Sequence, residues 1–163
     1  VLSLELPQSG SIPAKRMKGQ LDGIRKRVNV PEKDILHLDS KNTLEEAKRV
    51  VSDVLNTMPN ARHILVVTIN DGTALGVIAA FEMAGREKDA AVFSQGADES
   101  ARKELRKPDS ILYGAVAYFP ERYGDYLIPL ARDILEGRPH KKENFVKHVL
   151  ITRANIDEYY PGQ

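Results

Sequence analysis

The sequence predicts an α/β protein built on a doubly wound, mostly parallel sheet flanked by helices. Three observations predict it. Apolar strand-like runs alternate with helix-period segments from end to end. Helix-stopping residues, Pro59-Asn60, Gly85 and Gly137, stand where the helical periodicity ends. The run Ile64-Leu65-Val66-Val67 is continuously apolar, as in a strand covered on both faces by crossover helices.

The elements follow in order. Val1 to Leu6 reads as a strand, and a chain that opens inside a strand suggests a preceding N-terminal part. A helix is expected from near Pro13, which suits a first helical turn, with Ile12, Met17, Leu21, Ile24 and Val28 on its apolar stripe. Asp34 to Leu38 is the second strand. Thr43-Leu44-Glu45-Glu46 is a capping box, opening a helix with Leu44, Ala47, Val51, Val54 and Met58 on one face. His63 to Ile69 is the third strand. The next helix starts near Gly72 and turns Ala74, Val77, Ile78, Phe81 and Ala84 inward. Ala90 to Ser94 is a strand, and Asp98 caps a short helix to about Lys107. Ile111 to Ala117 is the fifth strand. Glu121 to Glu136 is a helix with Tyr123, Leu127, Leu130 and Ile134 on one side. Phe145 to Ile151 is a last strand, followed by a polar tail.

Composition narrows the function classes. Lys and Arg total 24 against 23 Asp and Glu, so no strong field favours nucleic acid or an anionic membrane. The basic clusters Arg25-Lys26-Arg27 and Lys141-Lys142 sit at element ends and form no stripe. There is no Cys, which excludes disulfides and thiolate chemistry. No apolar run approaches bilayer-spanning length. His37, His63, His140 and His148 lack metal-ligand spacing, and no cofactor motif is visible. Ser9-Gly10-Ser11 precedes a helix but is not followed by the Gly-Lys-Ser/Thr of a phosphate loop.

Open α/β sheets bind ligands beyond the C-terminal ends of their strands. The residues there are Gln8, Ser9, Asp39, Ser40, Asn70, Asp71, Gln95 and Tyr118. They are largely amides, hydroxyls and a phenol, without a nucleophile beside a base. Such a set suits a neutral polyhydroxylated ligand, whose hydroxyls both donate and accept. Asp71 is read as the cap of the helix that follows, which leaves Asn70 to face the cleft. Gln95 before Gly96 also reads as a turn residue. Tyr118 also reads as a core residue with its hydroxyl on a backbone partner.

The stretch Ile64 to Gly85, ILVVTINDGTALGVIAAFEMAG, resembles the ribose-binding proteins and their relatives, the sugar receptors of ABC importers. Arg16-Met17-Lys18-Gly19 is similar to that family's Arg-x-x-Gly on the first helix of the C-terminal lobe. Pro120, Leu135-Glu136-Gly137 and Leu150-Ile151-Thr152 continue the match in order. The resemblance implies one lobe of a type I periplasmic-binding-protein fold. It places residues 1–117 in the C-terminal lobe, 118–149 in a segment returning to an absent N-terminal lobe, and 150–163 in a final strand and tail. It implies ligand contacts from Arg16, whose guanidinium supplies several fixed donors, and from Asn70. Gln95 stands where the ribose binders have an aspartate, and Tyr118 where they have a glutamine, so the implied ligand widens to another sugar, polyol or small polar solute.

The resemblance further implies a receptor that is not an enzyme, a membrane permease as partner of the full-length protein, and a periplasmic or extracellular location, lipid-anchored or free. With the other lobe absent, the stripe on the Glu121–Glu136 helix is expected to form a homo-oligomer or to dock onto the sheet. A second reading shares the fold: the effector-binding core of a lac-repressor-like regulator, its DNA-binding helices lying before Val1. The ending Ile151-Thr152-Arg153-Ala154-Asn155-Ile156-Asp157 resembles transport receptors more than repressors. A third, a doubly wound enzyme or phosphoreceiver, lacks a catalytic constellation.

Overall fold

The computed structural model describes residues 1–162; Gln163, the last residue of the expected tail, lies outside them. Six strands form one sheet: β1 (Leu2–Glu5), β2 (Leu36–Asp39), β3 (Ile64–Thr68), β4 (Ala90–Gly96), β5 (Leu112–Ala117) and β6 (Val149–Ile151). Their spatial order is β2-β1-β3-β4-β5-β6. The first five run parallel, and β6 closes the edge antiparallel to β5. The helices are α1 (Ser11–Arg25), α2 (Leu44–Thr57), α3 (Asp71–Met83), α4 (Glu99–Arg106), α5 (Gly124–Leu135) and the short α6 (Ile156–Tyr159).

Alternation along the strands sorts their side chains onto two faces. Leu2, Leu4, Val66 and Val92 join Val51 and Leu55 of α2, Val77 and Phe81 of α3 and Leu105 of α4 in the main core. Val67, Ile69 and Phe93 face the other way, toward Met17 and Leu21 of α1. The face under α1 is therefore the thinner layer, and it carries the residues discussed below. Gly76 makes the α2–α3 contact close: a Cβ there would lie 2.2 Å from the Leu44 carbonyl oxygen.

The helix signals lie where the periodicity places them. Thr43 Oγ1 accepts from Glu46 N at 3.2 Å and Asp98 Oδ1 accepts from Ala101 N at 2.9 Å. Gly85 and Gly137 follow α3 and α5 with positive φ.

Several expectations are corrected. The helix expected from near Pro13 begins at Ser11 and ends at Arg25, so Val28 falls beyond its last turn and is exposed, as is Ile12. The last strand is only Val149–Ile151, because Val149 already faces Ala117, where β5 ends, so the residues before it run past the strand; Phe145 lies outside the ladder and is exposed. The fifth helix does not dock onto the sheet. No residue of α5 is buried, and Leu127 and Ile134 are 58% and 52% exposed.

Candidate functional site

Arg16, Gln95 and Tyr118 meet at the C-terminal end of the sheet, on the face covered by α1. The strands are parallel, and α1 runs back antiparallel to β1, so its first turns return over the strand ends. Gln95 lies two residues beyond Phe93 on β4 and shares its face. Tyr118 directly follows β5. The Gln95 amide Nε2 donates to the Arg16 carbonyl at 3.4 Å, and the Tyr118 hydroxyl donates to Gln95 Oε1. The Arg16 guanidinium lies over the Tyr118 ring, 4.9 Å from its centroid, within cation–π range. The His148 ring packs against the Tyr118 ring in a T-shaped arrangement, with centroids 4.9 Å apart at 71°.

Gln95 is 7% exposed, whereas Arg16 is open to solvent. Burial pushes the Tyr118 phenol above its ordinary pKa, and the Arg16 cation opposes this by favouring the phenolate. Tyr118 therefore stays a neutral hydrogen-bonding group at neutral pH.

Asn70 lies on the same edge with different work. Its Oδ1 accepts from Thr73 N at 2.9 Å, making Asn70 the N-cap of α3, and its Nδ2 donates to Asn42 Oδ1. The expectation that Asp71 caps the helix and frees Asn70 is thus corrected. Asp71 is instead turned inward and is 3% exposed. It accepts from the Ser94 hydroxyl and, at 2.8 Å, from Asp98 N. The reason is Gly96. Its φ of +138° and missing Cβ let the β4–α4 turn approach within reach of the carboxylate, where a Cβ would lie 2.3 Å from Oδ2. Burial raises the Asp71 pKa, against the lowering effect of its hydrogen bonds from Asp98 N and Ser94.

Of the remaining strand-end residues, Ser40 and Asp39 are also occupied. Ser40 Oγ donates to the Glu5 carbonyl at 2.9 Å, and Asp39 Oδ1 accepts from Lys41 N at 2.8 Å. Gln8 and Ser9 form an exposed 3₁₀ turn ahead of α1. Two rim residues escaped the sequence reading. Gln20, one turn after Arg16 on α1, donates to the Thr68 carbonyl at 3.0 Å. Asn42 approaches Asn70 from the β2–α2 loop, with φ of +61°. The i, i+4 spacing of Arg16 and Gln20 was a usable signal for the first; Asn42 left none, because its partner comes from another crossover. No group of three or more His, Asp or Glu positioned to hold a metal ion occurs among the described residues.

A mostly parallel six-stranded sheet with this hydrogen-bonding rim is the lobe architecture of a type I periplasmic-binding-protein fold. The chain belongs to that family: the periplasmic binding protein domain matches residues 6–139. The chain is 30% identical over 152 residues to the L-arabinose-binding periplasmic protein of Escherichia coli K12, covering 88% of this chain and 45% of that protein. In structure it is similar to an ABC transporter periplasmic solute-binding protein from Actinobacillus succinogenes with bound D-allose. The TM-score is 0.82 at 18% identity, over 97% of this chain and 54% of the other. It is also similar to an ABC transporter solute-binding protein from Bacillus halodurans with bound myo-inositol, with TM-score 0.79 at 21% identity over 97% and 53% of the two chains. The chain thus spans about half the length of the relatives it matches. These relatives are transport receptors, which does not favour the repressor reading.

Proposed function

We propose that the chain is the ligand-binding C-terminal lobe of a sugar or polyol receptor serving an ABC importer, and that it has no catalytic activity. The observation that carries this is the gathering of the Arg16 guanidinium, the Gln95 amide and the Tyr118 phenol at the sheet's C-terminal edge, in a chain of the periplasmic binding protein family. These groups exchange hydrogen bonds with hydroxyls and carry no nucleophile–base pair. Asn70 contributes from the neighbouring strand end, where its cap bond holds the amide in place. In the full-length receptor a second lobe would close over this edge by hinge motion, with residues 118–149 crossing to it and 150–163 returning. The closed form would be read by a membrane permease at the periplasmic or extracellular side.

Two consequences follow for the chain by itself. Half a cleft leaves much of a ligand in water, so binding is weak. The uncovered side of α5 (Leu127, Ile134) drives self-association. The test is an amide-resolved NMR titration with a panel of pentoses, hexoses and polyols at millimolar concentration. Shifts at Arg16, Gln95 and Tyr118 are expected with millimolar affinity. Submicromolar affinity would refute the half-cleft argument, and silence at these residues across the panel would refute the receptor reading.

A further inference from the structure

We propose that Tyr118 is the positioning residue of this edge: its hydroxyl sets which way the Gln95 amide faces, and its ring sets where the Arg16 guanidinium lies. The proposal rests on the receptor reading above and specifies how that site is held ready for its ligand. It starts from the two ends of the Gln95 amide. One end is a carbonyl acceptor and the other a pair of N–H donors of nearly equal size, so its partners decide its orientation. The Arg16 backbone carbonyl can only accept, and it takes a bond from Gln95 Nε2 at 3.4 Å. That length is beyond the usual range and holds the amide weakly by itself. The Tyr118 hydroxyl fixes the other end by donating to Oε1. Burial keeps the phenol neutral, so the donor is present at neutral pH. This lock leaves open one N–H and one lone pair on Gln95 and the acceptor side of the Tyr118 oxygen, a mixed face that suits a sugar hydroxyl.

The ring does separate work. Arg16 is exposed, and a free arginine side chain carries rotamer entropy that a ligand would have to remove. Its guanidinium instead lies over the Tyr118 ring, 4.9 Å from the centroid, so part of that ordering precedes binding. The ring is itself steadied. It is half-buried, and the His148 ring packs against it with centroids 4.9 Å apart. Tyr118 directly follows β5 and His148 directly precedes β6, and those strands pair antiparallel through Ala117 and Val149. The two rings thus meet where the ladder ends, one register step beyond its last pair. The residue that orders Arg16 and Gln95 is anchored to the sheet, close to the groups it orders.

The experiment is NMR on the 163-residue chain and its variants Tyr118→Phe, Tyr118→Leu and Gln95→Ala. Without ligand, the Arg16 Nε–H signal is expected to carry a ring-current shift that persists in Tyr118→Phe and vanishes in Tyr118→Leu. The Gln95 side-chain amide signals are expected to move in Tyr118→Phe, while backbone signals away from the edge stay in place. D-Allose, L-arabinose and myo-inositol then serve as probes. Tyr118→Phe is expected to bind about threefold weaker or more, as for one hydrogen bond, and Tyr118→Leu about twofold weaker again. In the Gln95→Ala background Tyr118→Phe should cost nothing further. An equal cost in both backgrounds would show the hydroxyl acting on the ligand directly and would overturn the proposal. Wild-type signals and affinity in both Tyr118 variants would also overturn it and leave the receptor reading standing. No shift of the wild-type chain with any of the three probes would overturn both.

Discussion

Asp71 and Gly96 act as one unit at the strand ends. A buried carboxylate costs free energy unless its oxygens are hydrogen-bonded, and here the Ser94 hydroxyl and Asp98 N supply the donors. Asp71→Ala leaves both donors unpaired and is expected to destabilise the fold by about 1–3 kcal/mol, read as a lower urea midpoint with unchanged slope. Gly96→Ala meets the same carboxylate from the other side, and its φ of +138° strains any L side chain. A loss of about 1–3 kcal/mol is expected there too; a wild-type midpoint in either variant would show that the unit is not structural. His37 is a different case. Its two ring nitrogens face Glu5 and Glu32, and these hydrogen bonds, Glu5 first, raise its pKa. A raised folded pKa means the stabilisation is complete below the unfolded imidazole value, about 6.5, and is lost as pH rises through the folded value. Wild-type stability should therefore decline over that window relative to His37→Asn. Parallel stability–pH profiles for the two would refute the assignment.

Among the elements, α2 and α3 show how close packing depends on one absent methyl group. Gly76 lets the backbone of α3 lie against the Leu44 carbonyl and the Ala47 side chain. The Leu44 oxygen belongs to backbone and cannot swing away, so Gly76→Ala must push the helices apart. A loss of about 1–3 kcal/mol or more is expected, with exchange protection falling in both helices and not in α3 alone. The same pair shows how helices are started. Thr43 and Asn70 each give a side-chain oxygen to the residue three positions on. Both are expected to cost about 1 kcal/mol when replaced by Ala. Asn70 serves structure as well as the site, so stability must be measured beside ligand affinity in any Asn70 variant.

For the whole molecule, one helix of the described chain stands with its apolar side uncovered. The α5 helix is amphipathic but none of its residues is fully buried, Leu130 being half-buried, and Tyr126, Leu127, Ile128, Ile134 and Leu135 are all exposed. Sedimentation velocity is expected to show concentration-dependent self-association, removed by Leu127→Glu with Ile134→Glu. A monomer at all concentrations would refute it, as the helix would then tolerate exposure unaided.

The sequence by itself determined the alternation of elements, the parallel order of the core strands and most helix ends. These depend on local hydropathy periods, on Thr43 and Asp98 as caps, and on Gly85 and Gly137 as stops, all of which act within a few residues. Resemblance to a family, not periodicity, singled out Arg16. Tertiary structure alone decided that Arg16 lies over Tyr118, that Asn70 and not Asp71 caps α3, and that residues 145–148 leave the sheet. Those outcomes depend on which crossover brings which side chain alongside. Asp71 and Asn70 are both competent caps as isolated residues. Only the approach of Gly96 and Ser94 on β4 draws the carboxylate inward and leaves the cap to the amide.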